Sequence, residues 1–216
     1  NDYGLEAARR YPNRFAVMGR IALTKPESAA LLPKWKEQPG MVGVRLTFMR
    51  EQSALLTSGA ADWFWPAAEK AGLPVMFLAP DNIPKFAPIA ERHPGLPLII
   101  DHMSLMQETA AERRIARAID DVVALAKYPN VSVKLSSAPT YSLDSYPWPD
   151  MTAHIKRCFD AYGPKRCYWG TDLTNAFAKS TYRQRVTHFT EELPFLSEDD
   201  KDWVMGKAIM ARLGWA

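Results

Sequence analysis

Six short apolar runs without helical spacing recur along this chain, at residues 15–21, 41–48, 73–79, 96–100, 131–135 and 166–169. Each reads as a strand buried on both faces. Between them, residues 63–71, 83–93, 108–127, 151–162 and 181–193 carry their apolar positions at helical spacing. The strand starts fall about 30 residues apart, the length of one strand, crossover and strand unit, so neighbouring strands are expected to be parallel with helices outside. Proline and glycine corners introduce the strands, as in Gln38-Pro39-Gly40, His93-Pro94-Gly95 and Tyr162-Gly163-Pro164. They are helix stops followed at once by a strand. The last helix is predicted to start at Ser197 with an acid three residues on, and to finish before Gly214.

No linker or composition shift divides the chain, so residues 1–216 read as a single domain. Polar loops after His102, Leu135 and Asp172 place function at the C-terminal ends of the strands. Residues 5–10 read as the tail of a helix that should follow an earlier strand. A closed eight-stranded barrel takes about 250 residues. The expectation is therefore an open sheet, or a barrel whose first two strand-helix units lie outside this chain.

With 27 Lys plus Arg against 24 Asp plus Glu, the net charge is +3, and the basic residues are scattered singly. Nucleic acid is a poor expectation for the partner. No apolar run approaches the roughly 20 residues of a membrane helix, and the start lacks a signal-peptide pattern, so a cytoplasmic enzyme of a small molecule is expected. The two cysteines, Cys158 and Cys167, fit neither a disulfide framework nor a zinc pattern. No phosphate loop, dinucleotide fingerprint or serine-hydrolase elbow occurs.

Four polar residues interrupt or end the apolar runs. His102 follows Leu98-Ile99-Ile100-Asp101, where a ring nitrogen can face the mouth of a barrel as ligand or proton carrier, or sit satisfied in the core. Asp172 ends Trp169-Gly170-Thr171-Asp172, as a base, a ligand or a turn cap. Arg45 lies in Val44-Arg45-Leu46 and Lys134 in Val133-Lys134-Leu135. Cations inside strands need partners, so this pair either holds an acidic substrate or forms structural ion pairs with Asp101 or Asp172.

The stretch from Arg45 through Ile99-Ile100-Asp101-His102-Met103 to Trp169-Gly170-Thr171-Asp172, with Leu196-Ser197-Glu198-Asp199-Asp200, resembles the amidohydrolase-related (amidohydrolase 2) family over nearly the whole chain. The resemblance implies a (β/α)8 TIM-type barrel of which strands three to eight are present. It implies that His102 ends the sixth barrel strand and that Asp172 ends the eighth, binding a metal in metal-using members and taking a proton from the attacking water. Arg45 matches an arginine near substrate carboxylates in lactonase relatives, Lys134 matches the seventh strand more loosely, and Tyr141 and Trp148 would be substrate walls or rim cover.

The chain departs from the family in having no His-x-His, its histidines being His93, His102, His154 and His188, and in having Leu173-Thr174-Asn175 where relatives often carry a histidine. His102 and Asp172 alone would leave a zinc site about two protein ligands short. The leading expectation is hydrolysis of a small carboxylated lactone or ester-like carbonyl by water that Asp172 deprotonates, with His102 polarising the carbonyl. A divalent metal, zinc or manganese, and a metal-free site both stay open. So do metal-dependent non-oxidative decarboxylation and an inactive partial barrel, whose exposed edges would pair with a second copy.

Overall fold

A computed structural model describes residues 1–111, 113–175 and 177–215. The chain is an α/β protein. Its strands, β1 (Val17–Gly19), β2 (Met41–Thr47), β3 (Val75–Leu78), β4 (Leu98–Ile100), β5 (Val131–Lys134) and β6 (Cys167–Tyr168), alternate with helices and form one six-stranded sheet in sequence order. The pairs β1–β2, β2–β3 and β5–β6 are parallel, as crossover connections require. All six predicted runs contain a strand.

Contacts group the residues into two compact units. The first comprises Asn1–Ile99, Tyr128–Val131 and Met210–Ala216; the second comprises Ile100–Lys127 and Ser132–Ile209.

In the first unit, β2 carries Val44 and Leu46 buried, and Phe48 follows them into the core. Phe48, Trp65, Phe77 and Phe86 form a continuous aromatic cluster there. Phe86 stacks on Phe77 at 3.7 Å between ring centroids, meets Phe48 edge-on at 5.6 Å and Trp65 at 5.9 Å. Such pairs add to the large area each ring removes from water. The buried Asn130 amide donates to the carbonyls of Ala90, His93 and Leu96, so one side chain closes the corner that leads into β4. His93 Nδ1 lies 2.8 Å from Glu69 Oε2, whose other oxygen accepts from the Gly95 amide at 2.8 Å.

In the second unit, β5 and β6 pair in register Val133 with Cys167 and Lys134 with Tyr168. The helices Ile115–Ala124 and Pro149–Tyr162 pack together, and Tyr162 Oη donates to the Val122 carbonyl at 2.7 Å. Both cysteines are free and buried; burial pushes the Cys158 thiol up to about 12 and raises that of Cys167 well above its ordinary value, which leaves them inert at neutral pH.

Two helices depart from expectation. The single helix predicted over 108–127 is two, Gln107–Ala111 and Ile115–Ala124, because Arg113 turns left-handed (φ 55°) and the chain folds back with Arg113 N bonded to Ala110 O and Arg114 N to Thr109 O. The stretch Pro26–Glu37 forms tight 3-10 turns that its pattern did not signal. Ser197 caps the last helix as expected, its hydroxyl accepting from Asp200 N while Asp200 accepts from Ser197 N. Among the described residues no helix is long and apolar enough to cross a membrane.

Candidate active site

The second unit brings together the residues that follow three consecutive strands. After β4 the backbone turns left-handed for three residues, His102, Met103 and Ser104, with φ of 52°, 51° and 52°. Ser137 after β5 (φ 69°) and Asp172 after β6 (φ 47°) do the same. Left-handed backbone is uncommon for residues with a Cβ and is tolerated where the surrounding packing holds it, often at functional sites. Here it turns each chain sharply at its strand end.

The side chains form one buried network. His102 Nδ1 lies 2.7 Å from Ser136 Oγ and 3.1 Å from Ser137 Oγ. On its other edge, Nε2 lies 3.3 Å from Asp101 Oδ2 and 3.7 Å from Asp172 Oδ1. Ser137 Oγ donates to Asp172 Oδ2 at 2.8 Å, and Lys134 Nζ pairs with Asp101 Oδ1 at 2.8 Å. Asp101 is 1% exposed, so its charge depends on these partners. Gly170 leaves the room the lysine needs: a Cβ there would stand 3.2 Å from Lys134 Cε and 3.3 Å from Ser136 Cβ. Arg185, on the helix Tyr182–Thr190, donates to the Thr171 carbonyl and thereby fixes the residue before Asp172. Burial lowers the Arg185 guanidinium, and the Asp172 charge works against that shift.

Of the residues singled out in the sequence, His102, Asp172 and Lys134 share this network, Lys134 in an ion pair with Asp101. Tyr141 and Trp148 are buried in the same unit, 5% and 3% exposed, and Trp148 packs edge-on against His188 at 5.0 Å and Tyr146 at 5.1 Å. Arg45, in the first unit, donates from Nη1 to Thr47 Oγ1 at 2.7 Å. Sequence reasoning missed Ser136, Ser137 and Arg185. The serine pair directly after a buried strand was a usable signal; Arg185 sits in a helix of ordinary polarity and gave none.

The network can polarise a carbonyl and accept a proton. An imidazole nitrogen facing two carboxylates is stable with a positive group between them, either a proton or a cation. The 3.7 Å between Nε2 and Asp172 Oδ1 approaches the ~3.4 Å that two ligands of one divalent ion take at bond lengths of ~2.0–2.2 Å. These two side chains therefore fit a divalent ion as two of its ligands. No cluster of three or more His, Cys, Asp or Glu able to hold an ion occurs among the described residues.

A family model described as Amidohydrolase matches residues 1–213. No curated protein sequence matches the chain. Among solved structures, an amidohydrolase from Burkholderia multivorans with bound zinc is similar at TM-score 0.84 and 19% identity, over 99% of this chain and 78% of that one. A Pseudomonas putida protein assigned as a 2-pyrone-4,6-dicarboxylic acid hydrolase gives 0.80 and 19%, over 100% and 77%. A dihydroxybenzoic acid decarboxylase from Polaromonas sp. JS666 with bound manganese gives 0.66 and 14%, over 99% and 73%. The match of fold and of nearly the whole sequence to one family model has a plain consequence: this chain belongs to the amidohydrolase family.

Proposed function

We propose that this chain hydrolyses a small carboxylated lactone or ester-like substrate, with Asp172 as the base for the attacking water and His102 polarising the carbonyl. The observation that carries the reading is the pairing of His102 Nε2 with Asp172 Oδ1 at 3.7 Å, at the ends of two strands and within one buried network. A water beside Asp172 gives its proton to the carboxylate as its oxygen bonds to the carbonyl carbon. The ring C–O bond then breaks, and the proton passes to the departing alkoxide. Lys134, 19% exposed at its side chain, is proposed to meet an anionic group of the substrate beyond its pairing with Asp101. On the family resemblance alone, Arg45 is proposed to do the same, and Tyr141 and Trp148 to wall the substrate.

The residues that would hold a divalent ion are His102 and Asp172, and the zinc and manganese found in similar structures make it the proposed cofactor. When bound, such an ion supplies Lewis acidity and lowers the pKa of water. A second reading, non-oxidative decarboxylation of an aromatic acid, draws support from the likeness to the manganese-bound decarboxylase.

One experiment separates them. Purified protein, stripped and then supplied with zinc, manganese or neither, is offered 2-pyrone-4,6-dicarboxylate, simpler carboxylated lactones and dihydroxybenzoates, with Asp172→Asn as control. A new carboxylate released from a lactone supports the hydrolase, carbon dioxide the decarboxylase. Neither product from folded, metal-supplied protein overturns both. Activity without added or bound metal assigns the polarising role to His102 alone.

A further inference from the structure

The Ser137 hydroxyl touches both groups of the proposed site, and its hydrogen-bond capacity decides how. A carboxylate only accepts, so the 2.8 Å contact with Asp172 Oδ2 uses the hydroxyl proton. A hydroxyl has one proton, so the 3.1 Å contact with His102 Nδ1 is made by a ring N–H donating to Ser137 Oγ. Ser136 Oγ, 2.7 Å from the same nitrogen, can accept from it too. The ring is thereby held with its Nδ1–H edge on the serines and its Nε2 edge on the carboxylates, and Asp172 is held with Oδ1 on the side of Nε2.

Two further observations set Ser137 apart from an ordinary turn serine. It stands at the N-cap of the helix Ala138–Tyr141, where a serine hydroxyl normally accepts from the first turn, yet its side chain makes no capping bond. It also occupies left-handed backbone, φ 69° and ψ 15°, which glycine adopts without penalty. Neither the helix nor the turn uses this hydroxyl, and its residue is 2% exposed, beyond the reach of bulk water.

We propose that Ser137 is a positioning residue that ties His102 to Asp172 through one hydroxyl and so fixes which ring nitrogen and which carboxylate oxygen face the reacting group. This deepens the hydrolase reading and rests on it for what those two groups do. Partners behind a functional histidine typically matter by ~10–100-fold in activity or metal affinity when removed.

The test uses nitrogen-15 NMR of the four histidine rings, with His102 assigned by its disappearance in His102→Asn. In the wild-type protein Nδ1 of His102 is expected to carry a proton; an Nδ1 without one overturns the proposal with no variant needed. Ser137→Gly removes the hydroxyl while suiting the left-handed backbone. Its melting temperature is expected to hold or rise, while the share of His102 that carries a proton on Nδ1 falls, because one acceptor of that N–H is gone. Ser137→Asn, which tolerates the backbone and offers both a donor and an acceptor, should restore the wild-type pattern. A folded Ser137→Gly protein with an unchanged His102 pattern sinks the idea. On any lactone turned over, Ser137→Gly should lower kcat ~10–100-fold with KM nearly constant, and equal loss in KM alone would make Ser137 a substrate contact instead. If wild-type protein turns over no lactone, the hydrolase reading fails by itself and the ring pattern still decides Ser137.

Discussion

The two units of this chain spend their buried volume differently. The first is filled by aromatic rings, Phe48, Trp65, Phe77 and Phe86, and among its fully described residues the buried polar ones are Ser28 and Asn130. The second buries Asp101, His102, Ser136, Ser137, Arg185 and His188. Apolar packing contributes stability in proportion to area and asks for no partner, whereas every buried polar group needs one. Stability and chemistry are thus expected to separate by region, and substitutions in each should fail in different assays.

The largest effect expected is on rate. Asp172→Asn keeps the size of the side chain and its bond from Ser137 but removes the base, and turnover of a lactone should fall ~10²–10⁴-fold with little change in denaturant midpoint. The counterpart in the aromatic region is Phe86→Ala, which opens a cavity against three rings and should cost about 3–5 kcal/mol of unfolding free energy. If Phe86→Ala lowers turnover of the remaining folded protein as much as Asp172→Asn does, the separation by region is wrong.

Lys134→Met tests the ion pair from the other side. It removes the cation paired with the buried Asp101 carboxylate, and breaking a buried pair costs about 3 kcal/mol or more, while Lys134→Met with Asp101→Leu should recover most of it. A single variant as stable as wild-type would show that Asp101 leans on its other neighbours.

The smallest effect is on pH. Burial holds His188 down to about 4 against its ordinary 6.5. The unfolded chain therefore binds a proton between those values that the folded chain refuses. Stability from this residue is complete above about pH 6.5 and is lost as pH falls towards 4, by up to about 3 kcal/mol. Chemical denaturation at pH 7.5 and 4.5, with His188→Gln flattening the difference, checks it.

How much of this was visible in the residues follows the same divide. Apolar runs and corner residues located all six strands, because burial on both faces leaves an unbroken signature. The helix break at Arg113 left no trace, since Ala110, Ala111 and Arg114 are all good helix formers and tertiary packing decides there. At the site, His102 and Asp172 were legible as polar residues ending apolar runs. Ser136 and Ser137 offered only the weaker signal of two hydroxyls directly after a buried strand, which does not tell a site from a turn. Their role depends on a ring contributed 34 and 35 residues earlier in the chain.

The packing of Trp148 edge-on against His188, 5.0 Å between centroids, gives the second unit an optical signal of its own. A protonated imidazole quenches a neighbouring indole, and a neutral one does so far less. Trp148 also lines the same cleft as Ser137, Thr171 and Arg185. The difference in emission between wild-type protein and Trp148→Phe should therefore dim as acid reaches His188. An isotope-free, low-concentration readout of the region behind the candidate site is already wired into the fold.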